Sequence, residues 1–445
     1  MNKWNPLCIG ELIDAGKADL QTGPFGTQLN AGEYIEHGIP VVNVRNIGFG
    51  KLIDAKLEYL SDSTADRLNV HRLEKDDLVF CRKGAVERHL LVPQSVEGWI
   101  QGSDCMRLRL KSKDVSARYL SYYFSTAGHK DWMEAQCSFG STMSSLNQGV
   151  IRRINISLPP LPVQRKIAAI LSAYDDLIEN NTRRIALLEK MAEEVYREWF
   201  VRLRFPGHER VPVHQGVPEG WELKPVGELL EYYIGGGWGE EEPSSVHHRQ
   251  AYVIRGTDIP KVRLNAIDSC PLRYHALSNF QSRQLKSDDI VFEVSGGSAG
   301  QPVGRTLFVT AGLLKSFQED VICASFCKLL RPNRNAVEPT FFYQCLRTLY
   351  DYGVLDQYQV QSTGITNFKF EGFLSLEKVL VPLKSVQEEY TNLSEPLFAE
   401  ISVLGRENGI LCKTRDMLLS RLLSGKIDVE PLDIRFPAGM SAAEY

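Results

Sequence analysis

No apolar run among the 445 residues approaches the roughly 18–20 needed to cross a bilayer as a helix. The opening stretch, MNKWNPLCIGELID, carries acidic residues where a secretory leader would have its apolar centre, so a soluble, cytoplasmic chain is expected. Cysteine is sparse: nine residues, scattered singly. The one close pair, Cys323-x3-Cys327, lies in an apolar segment with no histidine beside it. Zinc sites usually come as two tight pairs, so all nine read as reduced thiols and no metal site is expected. Neither sign of charge dominates. The 51 basic and 55 acidic residues give a net charge of −4, which excludes a uniformly basic nucleic-acid coat but not a local basic patch. Catalytic signatures are missing too. There is no G-x4-G-K-[ST], hence no P-loop, and no Asn-Pro-Pro-Tyr-like tetrapeptide to hold a base for amino-methyl transfer. Gly235-Gly236-Gly237-Trp238-Gly239 runs into three glutamates that would repel phosphate, so it reads as a loop. His247-His248 has no matching ligand pair. Pro218-Glu219…Glu222-x-Lys224 only loosely imitates a nuclease cluster. No catalytic residue is expected in this chain, and no cofactor of its own.

What is present is an ordinary globular composition, 43% hydrophobic and 24% charged, long enough for two to four domains. The chain also repeats itself once. Trp4-x4-Ile9-Gly10-Glu11-Leu12 matches Trp221-x4-Val226-Gly227-Glu228-Leu229. Leu73-x-x-Asp76-Asp77-Leu78-Val79-Phe80 matches Leu285-x-x-Asp288-Asp289-Ile290-Val291-Phe292. Leu158-Pro159-x3-Val163-Gln164 matches Val381-Pro382-x3-Val386-Gln387. Three markers in the same order are hard to ascribe to chance. Each half has short β-type runs punctuated by Gly, Asn, Ser and Pro: 39–44, 78–81, 105–110 and 154–158, answered by 251–254, 290–294, 321–330 and 378–381. A short helix is expected at 117–126 and again at 340–350. A Pro-containing exit then leads into a long helix.

The first long helix is expected over about 163–203, with apolar residues stepping by four and three: Ile167, Leu171, Tyr174, Ile178, Ile185, Leu188, Ala192, Val195 and Trp199. Asn181 fills the one polar slot in this seam. Glu179–Arg183 and Glu193–Arg197 are favourable i,i+4 pairs outside it. The second long helix is expected over about 385–423, with the seam Tyr390, Leu393, Leu397, Ile401, Leu404, Asn408, Leu411, Arg415, Leu418 and Leu422. Pro396 should kink it, and Gly405 and Gly409 should soften it. Seams this long outrun one small domain, so the two helices are expected to pair. The expected class is α+β, with two β-rich mixed domains in pseudo-two-fold repeat, separated by two long helices that pair as a coiled coil. The segments are 1–160 and 206–383 for the domains, the second including its linker, 161–205 and 384–425 for the helices, and 426–445 for a C-terminal tail.

Polar, donor-rich loops recur at matching places in the two halves. One follows the strand ending at Cys81 and contains Arg82, Lys83 and Arg88; its counterpart contains Ser295, Gly297, Ser298 and Arg305. The other, ahead of the exit, contains Ser141, Thr142, Ser144 and Asn147; its counterpart contains Thr363, Thr366, Asn367 and Lys369. Arg45, Asn46 and Arg255, each just after an early β-type run, are counted with them. Glycines let backbone N–H groups approach phosphates, hydroxyls and amides suit phosphate and base edges, and arginine reads guanine with two parallel hydrogen bonds. The halves differ most in these loops, as one scaffold carrying two specificities would.

The whole chain, over about 1–430, resembles the specificity subunit of type I restriction–modification enzymes. The resemblance rests on the two-fold repeat, on Gly220-Trp221-Glu222-Leu223…Val226-Gly227-Glu228-Leu229 and on Asp76-Asp77-Leu78-Val79-Phe80. It rests further on Leu158-Pro159-Pro160-Leu161-Pro162-Val163-Gln164-Arg165-Lys166-Ile167 running into a long helix. The first half lacks the Gly before Trp4, and the second exit, Val381-Pro382-Leu383-Lys384-Ser385-Val386-Gln387, has fewer prolines; both leave the boundaries open. The resemblance implies two target-recognition domains, each reading one half of a bipartite site in double-stranded DNA, held apart by the two long helices as an antiparallel coiled coil. It implies partners: two methyltransferase subunits that use S-adenosylmethionine, and motor-nuclease subunits that use ATP and Mg. A stand-alone DNA-binding or adaptor protein on the same scaffold is the alternative. A DNA-modifying enzyme fits less well, because its motifs are absent.

Overall fold

The computed structural model describes residues 4, 6–137, 144–296, 302–362 and 364–436. Ser141, Thr142, Gly297, Ser298 and Thr363, expected among the loop donors, lie outside them. The chain divides into two compact units, residues 1–176 with 412–445 and residues 177–411, so each unit takes a stretch of both long helices.

In the first unit, Ala18–Thr22, Cys105–Leu110, Leu78–Cys81 and His89–Leu91 form an antiparallel sheet in that spatial order. A second sheet runs Tyr34–Ile35, Glu58–Leu60, Ile39–Val42, Ile100–Gln101, with its last pair parallel. Pro6–Cys8 pairs with Asn155–Ser157, joining the start of the half to its exit. The second unit repeats this plan. Leu230–Gly235, Cys327–Pro332, Ile290–Glu293 and Thr306–Phe308 form the antiparallel sheet. Leu272–Ala276, His247–Ile254 and Val321–Cys323 form the sheet with a parallel pair, and Glu222–Pro225 pairs with Lys378–Val381. The apolar run 321–330, expected as one strand, is therefore two strands, because a turn at 324–326 sends the chain from one sheet into the other. The short helices are Ala117–Phe124 and Pro339–Asp351.

The repeated sequence markers all have structural work. Gly10 and Gly227 let the chain pass close to a carbonyl: an added Cβ would lie 2.9 Å from Arg152 O in one unit and 3.1 Å from Leu374 O in the other. Asp76 and Asp288 take left-handed backbone (φ 67° and 73°), which Asp tolerates in tight turns. The following Asp77 and Asp289 are buried. Asp77 accepts from Glu74 N–H at 2.8 Å and from Arg109 Nε and Nη2, both at 2.7 Å. Asp289 accepts from Lys286 N–H at 2.7 Å and from Arg331 Nε and Nη2, both at 2.8 Å. The glutamine closing the exit motif is buried as well. Gln164 accepts from Ser116 N–H and donates to Pro159 O; Gln387 accepts from Glu338 N–H and donates to Pro382 O. Each glutamine thus ties the start of its long helix to the N-terminus of the short helix.

The first long helix spans Leu161–Tyr196 and ends in a wider helical turn at Arg197–Val201. The second spans Lys384–Leu423 and continues through Pro396. Within each unit the two run antiparallel, since partner numbers fall as helix numbers rise. In the first unit Arg415 donates to Asp175 at 2.7 Å. In the second, Asn181 donates to Glu407 at 3.4 Å, Arg184 to Glu400 at 2.8 Å and Tyr390 Oη to Ala192 O at 3.2 Å. Ile167 and Leu171 join the core of the first unit, with Leu418 packed against it; Ile185 and Leu404 join that of the second, with Leu188, Val195 and Leu397 against it. Ile178 and Leu411 are half-buried. Leu393 departs from the expected seam. It is 50% exposed, and Ser394 and Phe398 take the inward positions because the helix packs on its own domain as well as on its partner helix. The tail is also corrected in part. Val429 is buried in the core of the first unit with Ile427 and Ile434 against it, and Lys166 Nζ donates to Glu430 O and Leu432 O.

Candidate nucleic-acid interface

In the first unit the fully buried strand Leu78–Cys81 delivers the chain to Arg82, where three segments meet. Arg82 N–H donates to Asp104 O at 2.8 Å, and Arg82 O accepts from Leu146 N–H at 2.8 Å. Lys83 bridges to Ser145, and Gly84 N–H donates to Ser144 O at 3.1 Å. Gly84 has φ +75°, which turns the chain at the tip. The two loops expected separately from the sequence are therefore adjacent, pinned together by backbone.

The second unit has the same junction. Val294 N–H donates to Phe326 O at 2.9 Å, and Val294 O accepts from Phe368 N–H at 2.9 Å. Ser295 pairs with Asn367 and Gly296 with Thr366, and Ser295 Oγ donates to Asn367 Oδ1 at 2.8 Å. Arg82 and Val294 are thus equivalent, as are Lys83 and Ser295, Asp104 and Phe326, Leu146 and Phe368. The buried Leu146 and Phe368 anchor each cluster to its core, leaving the polar residues on either side to face outward.

The expected donors separate into two groups. Arg82 is half-exposed and has no ion-pair partner among the described residues. Lys83 is exposed and pairs with Asp104 at 3.0 Å. Arg88 lies 5.9 Å from the Phe49 ring centre and 3.7 Å from Glu87. Ser144 and Thr366 are half-exposed, and Asn147, Asn367 and Lys369 are exposed. Asn147 also caps the helix Gln148–Arg152 by accepting from Val150 N–H. Arg45 is exposed, 3.5 Å from Glu58.

Four expectations are corrected. Ser295 is buried, and its hydroxyl is spent on Asn367 Oδ1. Asn46 is fully buried: it accepts from Asn43 N–H and donates to Ile53 O and Ala55 O, so its amide is committed to closing a loop. Arg305 forms a two-pronged pair with the buried Glu293, at 2.7 and 2.5 Å, which neutralises that carboxylate beneath the loop. Arg255 is held by Asp258 at 2.8 and 2.9 Å and by Ser269 O, fixing a turn equivalent to the one Asn46 closes. All four serve the scaffold.

Other residues at the clusters escaped the sequence reading. Phe49 is 43% exposed on a loop fixed by His89 through Gly50 N–H to His89 O and His89 N–H to Gly48 O. Lys130 Nζ sits 4.0 Å above the Phe49 ring. A phenylalanine between two glycines, as in Gly48-Phe49-Gly50, is the signal that could have found it. Beneath lies an aromatic layer of Phe80, His89, Phe124 and His129. Burial pushes His89 down to about 3 and His129 down to about 4, so both rings are neutral at pH 7. Among the described residues no group of three His, Cys, Asp or Glu side chains lies close enough to hold a metal ion, and no helix is long and apolar enough to cross a membrane.

A duplicated mixed-sheet unit, with paired long helices and a differing loop cluster at the same strand end in each copy, defines a two-repeat scaffold. Comparison with known proteins agrees. A family model described as the type I restriction modification DNA specificity domain matches residues 1–190. The type I restriction enzyme MjaIX specificity subunit of Methanocaldococcus jannaschii is 27% identical over 336 residues, covering 72% of this chain and 71% of that one. The putative MjaX specificity subunit of the same organism is 24% identical over 413 residues, 88% of each chain. In fold, the crystal structure of a type I restriction–modification S subunit from M. genitalium superposes with a TM-score of 0.55 at 15% identity, covering 95% of this chain and 96% of that one. By the family model over residues 1–190 and by these relatives over most of its length, the chain is similar to type I restriction–modification specificity subunits.

Proposed function

We propose that each repeat reads one half of a bipartite site in double-stranded DNA, that the paired helices set the unread gap, and that the chain itself does no chemistry. The observation that carries this is the equivalence of the two loop clusters: the same backbone junction, built twice, bears Arg82, Lys83, Ser144 and Asn147 in one copy and Thr366, Asn367 and Lys369 in the other. Different side chains on one frame are what two different half-sites require. Helices of 36 and 40 residues are about 54–60 Å long, longer than the roughly 34–36 Å of one DNA turn.

The partners in this reading are two methyltransferase subunits, which bring S-adenosylmethionine, with motor-nuclease subunits bringing ATP and Mg in the full cytoplasmic assembly. In the second unit the long helices, already buried along their seam, also expose Leu187, Met191, Leu393, Val403 and Ile410. These exposed apolar side chains suit docking of partner helices. Co-expression with the methyltransferase subunits, followed by sequencing of methylated adenines, tests the reading. The expected result is a stable complex and a motif with two specified parts around a fixed gap. Purification of the chain alone, with no modified motif, would instead indicate a free-standing scaffold protein.

A further inference from the structure

The turn at 324–327 is held on all sides by backbone. Ala324 N–H donates to Ile254 O, Cys327 N–H to Ala324 O, and Gly236 N–H to Cys327 O, while Phe326 O accepts from both Val294 and Ser295 N–H. The first unit builds the same turn at 102–105: Gly102 N–H to Val42 O, Cys105 N–H to Gly102 O, Gly23 N–H to Cys105 O and Arg82 N–H to Asp104 O. Two positions differ: Gly102 is answered by Ala324, and the tip residue Asp104 by Phe326. Asp104 carries a carboxylate paired with Lys83 at 3.0 Å. In the second unit both members of that pair are replaced together, by Phe326 and Ser295. Phe326 is 57% exposed, although it sits on a rigid turn whose neighbours Cys323 and Cys327 are fully buried. Nearby on the three-stranded ribbon, the face bearing Asn367 also shows Val360 and Ile365, 40% and 44% exposed. A single exposed apolar residue is ordinary. One that takes the place of an ion pair in the middle of a polar loop cluster, with two further apolar neighbours, marks a surface made for a partly apolar target.

We propose that Phe326 is a specificity residue of the second half-site and that it packs on the 5-methyl group of a thymine in the major groove. The inference rests on the reading that the two clusters contact DNA. Thymine is the base that presents an apolar group on the major-groove edge, and a phenylalanine held on a stiff turn loses little freedom by meeting it. The first half-site, facing the Lys83–Asp104 pair, lacks this contact.

The test uses the intact complex with methyltransferase subunits and the duplex defined by methylation mapping. Each thymine is replaced in turn by uracil, which removes only the methyl group, for the parent and for Phe326→Ala and Phe326→Leu. One uracil in the second half-site should weaken the parent about fourfold. The same uracil should have no effect on Phe326→Ala, which should bind cognate DNA about tenfold or more weakly and relax its preference at that base pair alone. Phe326→Leu should recover part of the discrimination. Melting temperatures of both variants should match the parent, because the side chain is mostly exposed. If uracil scanning of the second half-site is silent for the parent, or Phe326→Ala keeps the parent's affinity and discrimination, Phe326 is not the reader. That result leaves the bipartite reading intact if the parent still selects its mapped site. A parent complex that does not distinguish mapped from scrambled duplex would overturn the reading itself.

Discussion

Asp77 and Asp289 show how much one buried carboxylate carries. Each is nearly inaccessible, and its arginine partner is only about a fifth exposed. Removing one partner of such a pair leaves an uncompensated charge, typically at about 3–5 kcal/mol. Asp289→Ala should therefore lower the melting temperature by on the order of 10 °C in calorimetry, whereas Arg82→Ala, at the exposed cluster, should change it little. Histidine supplies a second test. His89 and His129, held near 3 and 4 by burial, are neutral in the folded chain and would titrate near the ordinary value of 6.5 once unfolded. The unfolded state binds the extra protons, so their contribution is complete above about pH 6.5 and is lost as pH falls toward 4. His129→Phe, which cannot charge, should flatten the loss of stability between pH 6.5 and 4 by about 2–3 kcal/mol, read from denaturant midpoints at each pH. At this scale sequence was a partial guide. The duplicated Asp-Asp was visible as a marker, but its work was not, because Arg109 and Arg331 lie across a sheet from it. Arg305 looked like a free cation for the same reason: its partner Glu293 is 12 residues away in the chain and is brought to it by strand pairing.

At the scale of elements, the heptad steps made both long helices legible, and apolar β-type runs bounded by Gly, Asn, Ser and Pro marked the central strands of each half. What failed was punctuation without glycine or proline. The run 321–330 is nearly all apolar, so its turn was invisible, while the matching turn in the first half contains Gly102. The turn missed is the one that carries Phe326. The second long helix offers a test of packing against propensity. Gly405 and Gly409 were both expected to soften it, and alanine is intrinsically worth up to about 1 kcal/mol more than glycine in a helix. Yet a Cβ on Gly405 would lie 2.6 Å from Asn265 Cβ and 2.9 Å from Leu264 O, whereas one on Gly409 meets nothing within 4 Å. Gly409→Ala should raise stability by a few tenths to about 1 kcal/mol. Gly405→Ala should lower it by about 1–3 kcal/mol, despite the better propensity, because the helix sits against its own domain there. Urea unfolding of the two single variants decides between them.

For the whole molecule, duplication explains why the repeat could be read and its target could not. The markers that match between halves, Gly10 with Gly227, Asp77 with Asp289, Gln164 with Gln387, build the frame, and a frame is constrained to look alike. Of the residues that diverge, Arg82, Lys83, Asp104 and Phe326 stand where the frame presents them outward, whereas Val294 packs against the core and Ser295 is buried against Asn367. On the proposed reading, base preference depends on geometry and DNA deformability, which residue types do not encode. The central claim is that the copies read independently. Its most direct test is to exchange residues 1–157 for the equivalent segment of a relative, co-express the hybrid with the methyltransferase subunits, and map methylated adenines across the genome. The account predicts a motif in which one half and only one half is new, with the other half and the gap unchanged. A motif changed in both halves, or in neither, would contradict it.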